Sequence, residues 1–369
     1  MKILVVIGTR PEAIKMAPLI RRLLQVAYFE CRVCNTGQHK DLLDPVLDFF
    51  GVKVDYAMQV MKPNQSLHQL TATIITQIQE VYDEYLPEYV LVHGDTTTSF
   101  AAALAAFYSG IKVAHIEAGL RTFNKKAPFP EEVNRSLTAR IADVHFAPTQ
   151  LAAKNLSCEG ITGEILITGN TVIDALQDAL RLINEQDDSI TVLKEKIDFS
   201  KKIILFTGHR RENFGQGFEQ IFEALSEITG NRNDLLVVYP VHPNPNVKTL
   251  AEKYFLDSSS IRLIDPLDYG TFTWLMQQSY LIMTDSGGIQ EEAPSLGKPV
   301  LVLREVTERP EAVEAGTVLI VGTDKKKIVT QTLRLIDDYN YYQQFATIIN
   351  PYGDGKASER IIDYFVQQC

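Results

Sequence analysis

Three clusters of carboxylates stand where apolar runs end, and each suits proton transfer. Val90-Leu91-Val92 leads into His93-Gly94-Asp95, and Val113-Ala114 leads into His115-Ile116-Glu117. A third cluster, Pro128-Phe129-Pro130-Glu131-Glu132, opens a helical stretch after a loop. Acids at the carboxyl ends of neighbouring strands converge on one mouth, where general acid–base chemistry needs them, and crowding there would raise their pKa values. Each acid taken singly has a structural alternative. Asp95 before Thr96-Thr97-Thr98 suits a helix N-cap, and Glu131 and Glu132 suit a first helical turn. The His-x-acid pairs also share a strand face, as metal ligands would, but a base such as Arg10 at the same mouth opposes a dication.

Cations and small residues form a second set. Gly8-Thr9-Arg10-Pro11-Glu12 follows the first apolar run, and Arg10 and Lys15 could face a phosphate at a helix amino end. Thr284-Asp285-Ser286-Gly287-Gly288 joins a strand to a helix; Ser286, Gly287 and Gly288 would let backbone N–H groups approach a phosphate, and Glu292, one turn on, could accept ribose hydroxyls. His209 and Arg210, His242, and Arg309 each follow a further strand, so basic groups gather at successive strand ends of an acidic chain. That suits an anionic substrate such as a diphosphate. Phe272 and Trp274 are the candidates for stacking on a base, against the alternative that both lie in the core.

These residues need a frame of strands alternating with helices. Apolar runs over 2–7, 31–35, 88–93, 112–117, 144–148 and 165–168, then 202–207, 235–241, 261–264, 280–284, 299–303 and 317–321, read as strands. Amphipathic stretches such as 12–24, 67–85, 97–108, 171–183 and 218–228 separate them. The pattern predicts an α/β protein with two doubly wound, Rossmann-like domains facing across a cleft. At about 150 residues per domain, 369 residues suit two. The polar stretch 184–200 marks the boundary, giving an N-terminal domain over 1–184 with the acids and a C-terminal nucleotide-binding domain over 185–355, while 356–369 returns to the first.

Composition narrows the class. With 45% hydrophobic and 22% charged residues the chain is an ordinary globular protein. A formal charge of −10 speaks against nucleic acid or an anionic membrane as partner. No apolar run nears the roughly 20 residues that span a bilayer, and the opening apolar run stops at Gly8, too early for a signal peptide. Four cysteines and no signal make a reduced, cytoplasmic protein the expectation; Cys31 and Cys34 lie three apart in a strand, on opposite faces, and read as small hydrophobes. GxGxxG and GxxxxGK[ST] are both missing, so NAD and Walker-type readings lack support.

Taken together the motifs resemble the non-hydrolysing UDP-N-acetylglucosamine 2-epimerases of bacteria. The matching stretches are GTRPEAIKMAPLI (8–20), TGQH (36–39), HGDTTTS (93–99), HIEAGLRT (115–122), PFPEEVNRSLTARIA (128–142), GNTVIDAL (169–176), TGHRREN (207–213), YPVHPNPNV (239–247), TDSGGIQEEAPSLGKPVLVLR (284–304), TERPEAVEAGT (307–317) and NPYGDG (350–355). They run in order over nearly the whole chain. The resemblance implies a GT-B-like fold, a homodimer, and interconversion of UDP-GlcNAc and UDP-ManNAc for surface polysaccharides, with no NAD and no metal. It implies elimination of UDP to 2-acetamidoglucal and re-addition, since C2–H beside the acetamido group is barely acidic until the C1–O bond breaks. By the resemblance Asp95, Glu117 and Glu131 are the essential acids, and His209 supports the leaving UDP. Arg10 and Lys15 would contact substrate, Ser286, Gly287 and Gly288 the phosphates, Glu292 the ribose, Phe272 the uracil and Arg309 the diphosphate. His242 is carried over as a further substrate contact.

Two regions depart from the pattern. Leu267 stands where relatives often carry Gln beside the uracil, which leaves a backbone contact only. In many bacterial relatives a second UDP-GlcNAc activates the enzyme; here Asp41 and Pro45 stand where glutamines are common, while Arg210 and His242 keep other contacts of that allosteric site. The rival readings are a GT-B glycosyltransferase, a hydrolysing relative and a catalytically silent UDP-sugar sensor.

Overall fold

Strands buried on both faces must be apolar throughout, and the unbroken runs in this chain form two parallel sheets. The structure, a computed structural model, describes residues 1–230 and 232–369; the side chains of residues 40 and 41, and with them Asp41, lie outside the described residues. The chain divides into two units, Met1–Asp178 with Tyr352–Cys369, and Ala179–Pro351.

The first unit holds β1 (Lys2–Ile7), β2 (Glu30–Asn35), β3 (Tyr56–Ala57), β4 (Tyr89–His93), β5 (Lys112–Ile116), β6 (Val144–Ala147) and β7 (Glu164–Ile167). They pair in parallel in the order β3-β2-β1-β4-β5-β6-β7. The second holds β8 (Lys202–Thr207), β9 (Leu235–Pro240), β10 (Ile261–Ile264), β11 (Leu281–Thr284), β12 (Val300–Val302) and β13 (Val318–Ile320), in the order β10-β9-β8-β11-β12-β13. Both sheets reverse their winding at one point, between β1 and β4 and between β8 and β11. Ligands of open α/β sheets bind at the carboxyl ends beside such points.

The expected strands form within two residues of their predicted ends, with β3 added. Two residues at a sheet edge carry too little periodicity to be read. The predicted strand over 112–117 stops at Ile116, and Glu117 turns into the left-handed region at φ 59°. Cys31 and Cys34 are buried in β2 as free thiols, and burial pushes both up to about 12. Among the described residues no helix is long and apolar enough to cross a membrane.

The helix Ala357–Gln367 packs on the first sheet's unit through aromatic edges, with Phe365 5.1 Å from Tyr89 and Tyr364 5.4 Å from Phe146. Its amino end is held by buried Asp174, whose carboxylate accepts from the N–H groups of Ala357 (3.1 Å) and Ser358 (2.8 Å). A side chain from helix Thr171–Leu182 thus caps a helix far along the chain.

Two histidines, His115 and His145, are opposite partners across β5 and β6, and both are fully buried. Burial first, with neighbouring positive groups adding, lowers His115 to about 3; burial likewise lowers His145 to about 4. Below the ordinary value of 6.5 the unfolded chain takes up protons that the folded one refuses. Stability to urea is therefore expected to be full above pH 6.5 and to fall as pH drops toward 4, by up to roughly 1.4 kcal/mol per pH unit for each histidine. Equal urea midpoints at pH 7 and pH 5 would contradict this.

Candidate active site

In the first unit the turn after β1 is set by close approach. A Cβ at Gly8 would fall 2.3 Å from the hydroxyls of Thr36 and Thr98, so only glycine fits. Helix Arg10–Leu23 follows, with Pro11 in its first turn and Thr9 as N-cap. Glu12, fully buried, accepts from Gly8 N (3.0 Å), Thr9 N (2.8 Å), Thr96 Oγ1 (2.7 Å) and Ser99 Oγ (2.8 Å). It ties the turn after β1 to the turn after β4, across the reversal point of the sheet. Burial raises its pKa, against the pull of those hydrogen bonds.

Lys15, on the next turn of that helix, pairs with Glu117, and both side chains are nearly buried. Asn170 Nδ2 donates to the same Glu117 oxygen at 2.8 Å, and His93 Nε2 lies 3.7 Å from it. Asn170 is itself fixed, donating from its backbone to Tyr352 O at 2.7 Å. The left-handed backbone at Glu117 is costly for a residue with a Cβ and is held by these partners.

Asp95 is not the N-cap of helix Thr97–Tyr108. Thr96 takes that place, accepting from Ser99 N at 3.0 Å. The Asp95 carboxylate pairs with Arg135, while Asn134 Nδ2 bonds the Asp95 carbonyl at 2.9 Å. Of the adjacent acids, Glu132 is structural: it accepts from Thr122 N (3.0 Å), Phe123 N (2.8 Å) and Arg135 Nη1 (3.3 Å). Glu131 differs, its Oε2 being buried without a hydrogen-bond partner among the described residues. Arg10 is exposed, and its charge adds to burial in lowering the pKa of His39.

In the second unit the turns after β8 and β11 meet on Asp285. This fully buried acid accepts from His209 N (2.9 Å) and Arg210 N (2.8 Å), and its other oxygen lies 3.2 Å from His209 Nδ1. Burial raises the Asp285 pKa, but His209 and the two backbone donors outweigh it, and the net shift is down. With Nδ1 on Asp285, Nε2 is the outward end of His209. The rings of His209 and His242 stack at 5.6 Å. Helix Gly287–Glu292 begins beside this turn. Ser286 N–H is already bonded to Thr284 Oγ1 at 2.9 Å, whereas Gly287 and Gly288 lie in the first turn, where N–H groups lack intrahelical acceptors. Arg309 pairs with Glu291, and its Nη2 lies 3.8 Å from where a Cβ on Gly287 would be. Glu292 accepts from Tyr269 Oη at 2.7 Å.

The two aromatic candidates separate. Trp274 is buried, 5.2 Å from Phe199, and belongs to the core; Phe272 is half-buried on helix Tyr269–Gln278, and Leu267 is half-buried just before it. Pro45 lies inside helix Lys40–Phe50. Among the described residues no group of three or more His, Cys, Asp or Glu side chains could hold a metal ion.

Sequence reading passed over Glu12, Arg135, Asn170, Tyr269 and Asp285. Two of them carried a signal: Arg135 stands four residues after Glu131 on one helix face, and Asp285 directly precedes Ser286.

The family model for UDP-N-acetylglucosamine 2-epimerase matches residues 21–366. The chain is 52% identical over 373 residues to UDP-N-acetylglucosamine 2-epimerase of Campylobacter jejuni, covering 99% of this chain and 97% of that one. It is 51% identical over 367 residues to the protein of that name from Escherichia coli (strain K12), covering 98% of each. Among solved structures it is similar to UDP-GlcNAc 2-epimerase from Neisseria meningitidis bound to UDP-GlcNAc, with TM-score 0.91, 48% identity and full coverage of both chains. It is also similar to the Methanocaldococcus jannaschii UDP-GlcNAc 2-epimerase in complex with UDP-GlcNAc and UDP, with TM-score 0.82, 32% identity and full coverage. Its α/β class, two parallel sheets each layered with helices, matches the GT-B-like fold of these structures. Motifs, fold and half-identical full-length relatives agree, and the chain belongs to the UDP-N-acetylglucosamine 2-epimerase family of isomerases.

Proposed function

We propose that this chain interconverts UDP-GlcNAc and UDP-ManNAc by inverting C2 through a bound glycal. The observation that carries the reading is the group of carboxylates at the carboxyl edge of the first sheet: Glu117, gripped by Lys15 and Asn170, and Asp95, gripped by Arg135. Family membership supports the substrate, since relatives bearing this name have been solved with UDP-GlcNAc bound.

In this reading UDP leaves C1 with the electron pair of the C1–O bond, and the C2 proton passes to a carboxylate. The C2–H pair becomes the C1=C2 double bond of 2-acetamidoglucal. A proton returned to the opposite face of C2, with UDP oxygen attacking C1, gives the epimer. No electron is gained or lost. Asp95 and either Glu117 or Glu131 carry the protons. His209, through Nε2, and Arg309 stabilise the charge that grows on the departing diphosphate. Gly287 and Gly288, with Ser286 beside them, receive the phosphates; Glu292 takes the ribose; Phe272 and the Leu267 backbone take the uracil; Arg10, Lys15 and His242 complete the substrate contacts. The reading includes a cytoplasmic homodimer supplying N-acetylmannosamine for surface polysaccharide.

Incubation with UDP-GlcNAc in D2O, followed by NMR, tests it. Deuterium at C2 and a mixture containing UDP-ManNAc are expected. An unchanged nucleotide sugar without exchange defeats the reading, and accumulation of free UDP with free ManNAc identifies a hydrolysing enzyme instead.

A further inference from the structure

We infer that Arg135 is a positioning residue for the reaction, acting through Asp95; the inference rests on the proposed epimerase reading. Asp95 has no capping duty, because Thr96 caps the helix that follows it. Its side chain is still partly open, at 25% exposure, so something must hold it. The holder is Arg135, only 7% exposed, which spans two acids: Nη2 bonds Asp95, and Nη1 reaches Glu132 at 3.3 Å.

The span has a mechanical meaning. Glu132 is locked to the backbone N–H groups of Thr122 and Phe123, in the loop that follows Glu117. Asn134, next along the same helix, grips the Asp95 carbonyl. Glu131 and Arg135 are four residues apart, on one face of helix Glu131–Ile141. A single guanidinium therefore ties the turn after β4 to the helix that starts with Glu131 and, through Glu132, to the loop after β5. All three turns that bear the proposed acids are referenced to it. The planar fork suits this, since two N–H groups of fixed angle bond two carboxylates at once, whereas the freely rotating ammonium of a lysine does not fix that angle.

The test measures C2–H exchange in D2O for wild type, Arg135→Gln, Arg135→Lys, Asp95→Asn and the double variant Asp95→Asn/Arg135→Gln, with thermal melting and UDP binding alongside. Arg135→Gln is expected to lose about 10²-fold in exchange at unchanged KM, a loss of the size misplacement of a reacting group causes. Arg135→Lys is expected to recover part of it. The double variant is expected to lose no more than twofold beyond Asp95→Asn, because residues acting as one unit are not additive.

Wild-type exchange by Arg135→Gln, or full multiplication of the two losses in the double variant, overturns the inference. So does a loss of UDP binding in step with exchange, which marks a folding role. Should Arg135→Gln not fold, Arg135→Lys decides: full exchange by it rules out the two-acid span. Absence of exchange in wild type would instead defeat the epimerase reading itself.

Discussion

Glu117→Gln is expected to cut C2–H exchange by a factor of about 10²–10⁴, the range supplied by one positioned acid or base. Nothing about its size opposes the exchange of side chains, but the lost charge and acid–base chemistry do. The Glu117 oxygen that faces Lys15 and Asn170 is met by donors on both sides. The amide's carbonyl oxygen has two lone pairs and can still accept from both, but a carboxamide neither takes up nor returns a proton, so proton transfer to C2 goes unserved. The same variant removes the carboxylate with which the nearly buried Lys15 pairs, and breaking a buried pair from one side is destabilising. Lys15→Met in the same chain separates the two effects. The pair Lys15→Met/Glu117→Gln is expected to melt closer to wild type than Glu117→Gln, while exchange stays lost. Exchange within threefold of wild type in Glu117→Gln removes this residue from the proton path.

His209→Asn carries the second large expectation, a fall in kcat of about 10²–10³ with UDP affinity changed much less. The turn should survive, since Asp285 holds it through the backbone N–H groups of residues 209 and 210, which the substitution leaves in place. What goes is the outward nitrogen of a ring aimed by Asp285. An interaction that strengthens only as the diphosphate gathers charge lowers kcat; one equal in ground and transition states raises KM alone. Steady-state rates with calorimetric UDP binding distinguish them. A kcat within twofold of wild type, or a rise in KM alone, excludes His209 as the group that stabilises the leaving UDP.

Much of the fold was legible because parallel strands covered on both faces must be apolar along their length. The exceptions have local causes. The strand β3 is too short to show a period, and Glu117 looked like the last residue of β5 because nothing in His-Ile-Glu announces a left-handed turn. At the site, residue type was legible and duty was not. Asp95 and Thr96 are both good N-caps, and the choice between them rests on which backbone turns first. Glu131 and Glu132 are chemically alike and adjacent; only the loop at Thr122 and Phe123 makes one of them structural. Phe272 and Trp274 differ likewise, the indole being taken by Phe199, far back in the chain.

The amino-acid order by itself determined the alternation of strands and helices, the acids and bases at their carboxyl ends, and kinship with the epimerase family, because periodicity and motif are properties of neighbours. Tertiary structure alone decided the partners: Lys15 with Glu117, Arg135 with Asp95, and Asp285 with the turn at His209. A buried polar group must be bonded, but the group that bonds it comes from wherever the sheet order brings a distant segment, and no local pattern records that.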